Sequence, residues 1–406
     1  MEHSKQKFRQ IQIIQWQLTT RLVGSKDGQH ELWQQQDARP SLIKRDSGFR
    51  GFVDSDGVYE AVMALAKQHP ELLRCDAVTR ITTLYDVLSA AVIHADRNSD
   101  VLKVFMAPDG YFCDSETGAY TLSQTRLIKH MLQAIIGCQE RFENWLIIPG
   151  TIKWLKDDTP FSGLEKSLIP LAPLNSSAVV LYSGRLPLVH VDGRESNSAC
   201  FFIEPVNDHP GLIVPKSPWG GLDVYEPAEE RRLQDLHRHI FAIGGLRIGV
   251  EINQEQASAN NGNNVLTRAL KSIGKAKESL GLQLLLSSGQ LLNPEHLNIE
   301  QGGLAASVNG IVGLAGEPEP IEYQMIRRER DGESSRFSQQ FLRRNFVLPV
   351  PLQNTGKPES SYCYNMLGRE ESLLFNYTLG MLRVFKPVSS PTLFEHADEV
   401  DVLEAR

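Results

Sequence analysis

An α/β fold is what this sequence predicts. Apolar runs of strand length alternate with stretches whose apolar residues recur at helical spacing, the composition is that of a folded globular chain, and no internal repeat competes with that pattern. Of the 406 residues, 41% are hydrophobic and 22% charged, close to the average for globular proteins and far from disordered or fibrous chains.

The elements follow in order. Residues 1–70 are rich in glutamine and charge, with a glutamine patch at 33–36, a partly apolar patch at 11–16 and a helical-looking stretch at 57–67 closed by Pro70. They read as an N-terminal extension ahead of a domain over 71–385, and residues 386–406 read as an irregular C-terminal tail. Residues 78–84 are β-branched and bounded like a strand, whereas 85–96 place Val87, Leu88, Ala91 and Val92 at helical spacing. A second apolar run, 101–108, ends at Pro108, Asp109 and Gly110. A helix over 125–141 then leads to a third run at 145–148. Further strands are expected at 178–182, 246–252 and 282–287, the last after a polar helix at 265–280. Proline- and glycine-rich stretches at 205–221 and 315–320 read as long loops, and the charged run 327–335 as an exposed segment.

Charge and composition exclude several functions. A net charge of -7 supplies no basic footprint for a phosphate backbone, so no nucleic-acid partner is expected. No apolar run approaches the roughly 20 residues that span a bilayer, so no membrane partner is expected either. The opening MEHSKQKFRQIQIIQWQ lacks the features of a signal peptide. A cytoplasmic location is expected, or export by a route without an N-terminal signal. The five cysteines, Cys75, Cys113, Cys138, Cys200 and Cys363, form no CxxC pair and read as reduced thiols rather than a disulfide framework or a zinc site. Among the histidines, His237 and His239 lie two apart, which on a helix faces them to different sides. Neither a metal nor a cofactor is expected.

Five segments carry a family resemblance. Residues 100–112 (DVLKVFMAPDGYF) are an apolar strand that delivers Asp109 after a proline and before aromatics. Residues 117–120 and then 142–152 (FENWLIIPGTI) read as a helix entry and a strand running into Gly-Thr. Residues 175–184 (NSSAVVLYSG) form a strand that opens on asparagine and closes on a turn glycine. Residues 245–255 (GLRIGVEINQE) place Asn253 at a strand end with Glu255 beyond it, and 281–289 (GLQLLLSSG) end a further strand in small residues. In this order, over roughly residues 76–315, the segments resemble the nitrilase, or carbon-nitrogen hydrolase, superfamily. The resemblance implies a four-layer α-β-β-α sandwich, a homodimer formed through surface helices, and a catalytic glutamate, lysine and cysteine in one pocket.

In this chain those positions are altered. Asp109 falls at the glutamate and Asn253 at the cysteine. No lysine occupies residues 185–200, where Arg194 is the nearest cation at plausible spacing. The family's reaction needs a thiolate to attack an amide or nitrile carbon, a carboxylate to move protons and a lysine to stabilise the tetrahedral anion. An aspartate arm shorter by one methylene moves a carboxylate by about 1 Å, worth on the order of 100-fold in rate. An arginine fork does not sit as an ammonium does, and the amide nitrogen of Asn253 is no nucleophile. Plain structural roles also fit: Asp109 as a turn residue before glycine, Asn253 bonding loop backbone, Arg194 at the surface. The expected function is a nitrilase-fold protein that has lost thiol-dependent amide or nitrile hydrolysis and binds a protein or a small amide or carboxylate ligand. The alternative is a divergent amidase, a hydrolase of non-peptide carbon-nitrogen bonds, using another nucleophile such as Cys113, four residues past Asp109; Cys200, in the run ACFFI, reads as core.

Overall fold

The first strand already departs from the expectation of an extension. Ile11, Ile13, Ile14 and Trp16 are all buried, because β1 (Gln10–Gln17) lies between two other strands and loads both of its faces with apolar side chains. The computed structural model describes residues 8–17, 21–22, 64–69, 72, 77–114, 119–137, 140–155, 174–190, 193–204, 238–256, 264–276, 278–287, 292–312, 323–331, 334–338, 350–353 and 378–391. The glutamine patch, most of the stretch 57–67 and the loops 205–221 and 315–320 lie outside the described residues.

After β1 come β2 (Arg21–Leu22), helix α1 (Ala77–His94), β3 (Val101–Met106) and α2 (Leu122–Leu132), which continues as a π turn (Gln133–Gly137) and a 3-10 turn (Glu140–Phe142). Next are β4 (Trp145–Ile148), β5 (Thr151–Leu155), β6 (Leu174–His190), β7 (Glu195–Ile203), β8 (Ile240–Ile243) and β9 (Leu246–Ile252). A 3-10 turn (Asn253–Gln256), α3 (Val265–Ser272), β10 (Leu280–Ser287) and β11 (Ile299–Asn309) follow. The chain continues through β12 (Ile311–Val312), β13 (Tyr323–Asp331), β14 (Ser334–Ser338), β15 (Val350–Gln353), β16 (Thr378–Val384) and β17 (Val388–Ser389).

Apart from a small β2-β12 pair, the strands form one mixed sheet in the order β14-β13-β11-β10-β9-β8-β6-β4-β3-β1-β16-β15. Off this path, β17 pairs with β1, and β5 and β7 pair with β6. Two parallel blocks, β1-β3-β4 and β9-β10-β11, are joined through antiparallel β6 and β8. Although β1 and β11 are far apart in the sheet, Gln15 Nε2 donates to the Ser307 carbonyl at 2.9 Å, so the sheet curls until its two wings meet. Between the wings lies one buried cluster, drawn from alternate residues such as Ile13, Val104 and Leu146 of the first and Ile248, Leu284 and Val308 of the second. The opposite residues of the first wing, among them Trp16, Phe105 and Ile147, join a cluster with α1 and α2. Those of the second, among them Leu285 and Ala305, join one with α3. This is α/β architecture, as expected.

Several expected elements take another form. Residues 78–84 are the first turns of α1 rather than a strand, with Val78, Ile81, Leu84, Tyr85 and Leu88 buried at helical spacing. β-branching lowers helix propensity only slightly, and burial of one face overrides it. The tail expected from 386 contains β17, paired to Gln10 and Ile11 with Val388 buried. Of the charged run, residues 327–331 end β13 and 334–335 open its antiparallel partner β14, and β13 is anchored on β11 through buried Met325 and Ile326. Helix α3 is shorter than its predicted span. Helix α2 starts early because Thr121 and Gln124 close a reciprocal capping box. No helix among the described residues is long and apolar enough to cross a membrane.

Candidate functional site

Three residues past β3, Asp109 is fully buried and its carboxylate is taken up by three side chains. Lys153 Nζ sits 3.0 and 2.9 Å from its two oxygens, while the hydroxyls of Thr151 and Ser176 donate to Oδ1 at 2.5 and 2.9 Å. Ser176 also bonds Thr151 at 2.8 Å, and the Gly110 amide donates to the Thr151 hydroxyl. Burial pushes the Asp109 carboxyl up. The Lys153 charge and the hydrogen bonds from Thr151, Lys153 and Ser176 outweigh it and hold the group below its ordinary value.

Strand periodicity explains why these groups meet. In β5, Thr151 and Lys153 are two apart and share a face; in the antiparallel β5-β6 ladder Lys153 lies opposite Ser176. The loop after β3 is pressed onto this face at Gly150, whose φ of +84° suits glycine and whose missing Cβ would lie 2.4 Å from the Pro108 carbonyl. Phe112 continues the contact: its amide donates to Thr151 O, and its carbonyl accepts from the Lys153 amide.

Asn253 stands at the end of β9, half-buried, as the first residue of the 3-10 turn, with φ of +52° in the left-handed region that asparagine tolerates better than most residues. Two residues earlier, Glu251 is fully buried on the face of β9 that α3 covers, and Gln283 Nε2 donates to its Oε2 at 2.8 Å. Burial pushes this carboxyl up to about 8. The hydrogen bond from Gln283 opposes that push, the Glu255 charge adds to it, and the Leu266 amide opposes it slightly. Glu255 in turn caps β9, accepting the Ile252 amide at 2.7 Å.

Arg194 lies exposed in the turn joining β6 to β7, where the His190 amide bonds its carbonyl. The cation at Asp109 is Lys153 from β5, outside the segment 185–200 from which the sequence led us to expect one. Cys113 is half-buried one residue beyond Phe112, and Cys200 is half-buried against the cluster under α1 and α2, near the Lys129 carbonyl. Sequence reasoning missed Lys153, Thr151 and Ser176. The signal was present: in Gly-Thr-Ile-Lys the polar residues alternate with Ile152, as in a strand with one polar face. No protein-family model matches the chain, and no curated protein does. Among solved structures it is similar to a cysteine-to-alanine mutant of the amidase from Nesterenkonia sp. AN1 in complex with butyramide, at 12% identity and a TM-score of 0.28, covering 78% of this chain and 90% of that one. It is likewise similar to an amidase from Nesterenkonia sp., at 10% identity and a TM-score of 0.29, covering 79% and 89%.

Proposed function

We propose that the chain is a nitrilase-like protein whose strand-end site binds a small carboxylate or carboxamide without thiol-dependent hydrolysis. The observation that carries this reading is the engagement of Asp109, with three donors on Oδ1 and Lys153 also on Oδ2. A general base works best with a pKa near the working pH. Asp109 instead gives its oxygens to Lys153, Thr151 and Ser176 and is held below the ordinary carboxylate range. Where the resemblance places a thiol, Asn253 supplies a carboxamide, which can donate and accept hydrogen bonds but not attack a carbon.

Three features support the rest of the reading. The buried clusters lie under α1 and α2, between the wings, and under α3, which fits a four-layer α-β-β-α sandwich. Asp109 and Asn253 both follow the C-terminal ends of parallel strands, and the Gln15–Ser307 bond draws the ends of β1 and β11 together, which favours a shared pocket. Lys153 keeps 22% of its side chain exposed, so the pair borders solvent on this side. A homodimer through the helical surfaces belongs to the same reading. Ile93 on α1, 53% exposed, lies on such a surface, and light scattering that gives a monomer mass at micromolar concentration would remove this part.

The binding test is a thermal shift with butyrate and butyramide, run beside an ammonia-release assay on butyramide. Expected are a rise in Tm with at least one ligand, its loss in Lys153→Met, and no ammonia. The second reading, a divergent amidase, rests on Cys113 beside the Phe112–Lys153 contact. Ammonia release that disappears in Cys113→Ala would establish it and overturn the first. No shift and no release would sink both.

A further inference from the structure

The end of β9 is held by a buried group of titratable side chains that the ligand site does not use. His239, Glu251 and Glu255 are all buried, from the residue preceding β8, from β9 and from the turn that carries Asn253. The His239 ring has the Val250 carbonyl 2.8 Å from Nδ1 and the Glu204 carbonyl 3.2 Å from Nε2. The Glu255 carboxylate lies 3.7 Å from Nδ1. Glu251, two residues before Asn253, is a second buried carboxyl at this strand end. Its Oε1 lacks a hydrogen bond of normal geometry.

Among the described residues, none supplies Glu251 with a cation. From β10 it meets the neutral amide of Gln283, which also accepts from the Asn298 amide. Helix α3 turns the neutral backbone amide of Leu266 to Glu251, and its charged residues are Arg268, half-buried, and Lys271, exposed. The segment before β11 carries two titratable residues, Glu295, exposed, and His296, half-buried, whose carbonyl is bonded by Asn264 and Asn298. Glu255 is the charge that acts on Glu251, and it is repulsive.

We propose that Glu251 is a proton-carrying latch beneath the Asn253 turn. With its proton, it lies neutral beside Glu255 and the turn is closed by the Ile252 amide on Glu255. Without it, two carboxylates share one buried space and the turn 253–256 loosens. The end of β9 is therefore closed near neutral pH and opens under alkaline conditions, whatever ligand the site takes. Burial agrees with this direction, because it raises the Glu251 carboxyl to about 8.

Amide hydrogen exchange across pH 6.5–9.5, corrected for intrinsic rates, tests the latch. Expected is a loss of protection of tenfold or more at residues 250–256 above pH 8, with β3 unchanged, and retention of protection in Glu251→Gln, which mimics the protonated acid. Equal pH dependence in the unmodified chain and the variant, or none in either, would overturn the proposal. Should the variant fail to fold, 13C carboxyl titration of the unmodified protein decides. One glutamate with a midpoint near 8 supports the latch, and none above 6 overturns it.

Discussion

Lys153 and Asp109 form the pair on which the site depends. The Asp109 carboxylate is wholly out of water, and Lys153 is mostly so. Replacing Lys153 with Met leaves a buried anion without this cation, and breaking a buried pair in this way costs about 3 kcal/mol. Urea unfolding at pH 7 should show that loss, and Asp109→Asn in the Lys153→Met background should recover part of it. The acid limb follows from the sign of the shift. Because the folded Asp109 carboxyl lies below its ordinary value of 3.8, its contribution is complete above that value and drains away as pH falls through the folded pKa. Asp109→Asn should flatten stability against pH on the acid side. Glu251 works in the opposite window. Its folded value of about 8 lies above the ordinary 4.5, so its contribution is full below 4.5 and lost as pH rises to about 8.

At the scale of elements, the corner between β4 and β5 decides where Asp109 sits. Gly150→Ala must place a Cβ 2.4 Å from the Pro108 carbonyl and 2.9 Å from the Tyr111 Cβ, at a φ of +84°. Backbone strain of this kind costs about 1–3 kcal/mol, and the clash pushes the Asp109 loop off β5. We expect a lower Tm together with loss of the ligand-induced shift, whereas retention of that shift would mean that the loop adapts elsewhere. β3, β4, β9 and β10 were legible as strands, since each is a short apolar run bounded by turn residues. Helix α1 was misread at its start: a buried helix rich in Val, Ile and Thr has the composition of a strand, and only its packing against β1 and β3 distinguishes the two.

Across the whole molecule, β1 ties β16 and β17 to the centre of the sheet. It pairs with β3 on one side and with β16 and β17 on the other, and Gln15 reaches across to the opposite wing. Its four fully buried apolar side chains, Ile11, Ile13, Ile14 and Trp16, are each worth roughly 2 kcal/mol, together about 8 kcal/mol. That is comparable to the net stability of a typical domain, roughly 5–15 kcal/mol. Deleting residues 1–17 should therefore abolish the cooperative thermal transition. A deleted chain that still melts cooperatively near the original temperature would show that these residues are a dispensable extension.

Local pattern by itself determined the α/β character, the apolar strands of both wings and the position of Asp109 just past the end of one of them. It also showed that Asn253, with no thiol, ends another. These are properties of short windows, where periodicity and turn chemistry act within a few residues. Only the tertiary structure decided that Lys153 rather than a residue of 185–200 meets Asp109, because that choice depends on the β5-β6 register. The same holds for β1, whose glutamine-rich window looks like an appendage until β3, β16 and the far wing cover its two faces. Glu251 and Glu255 share a buried space because β9 runs straight into a 3-10 turn beneath α3, and burial, which one sequence does not display, is what makes their charges matter.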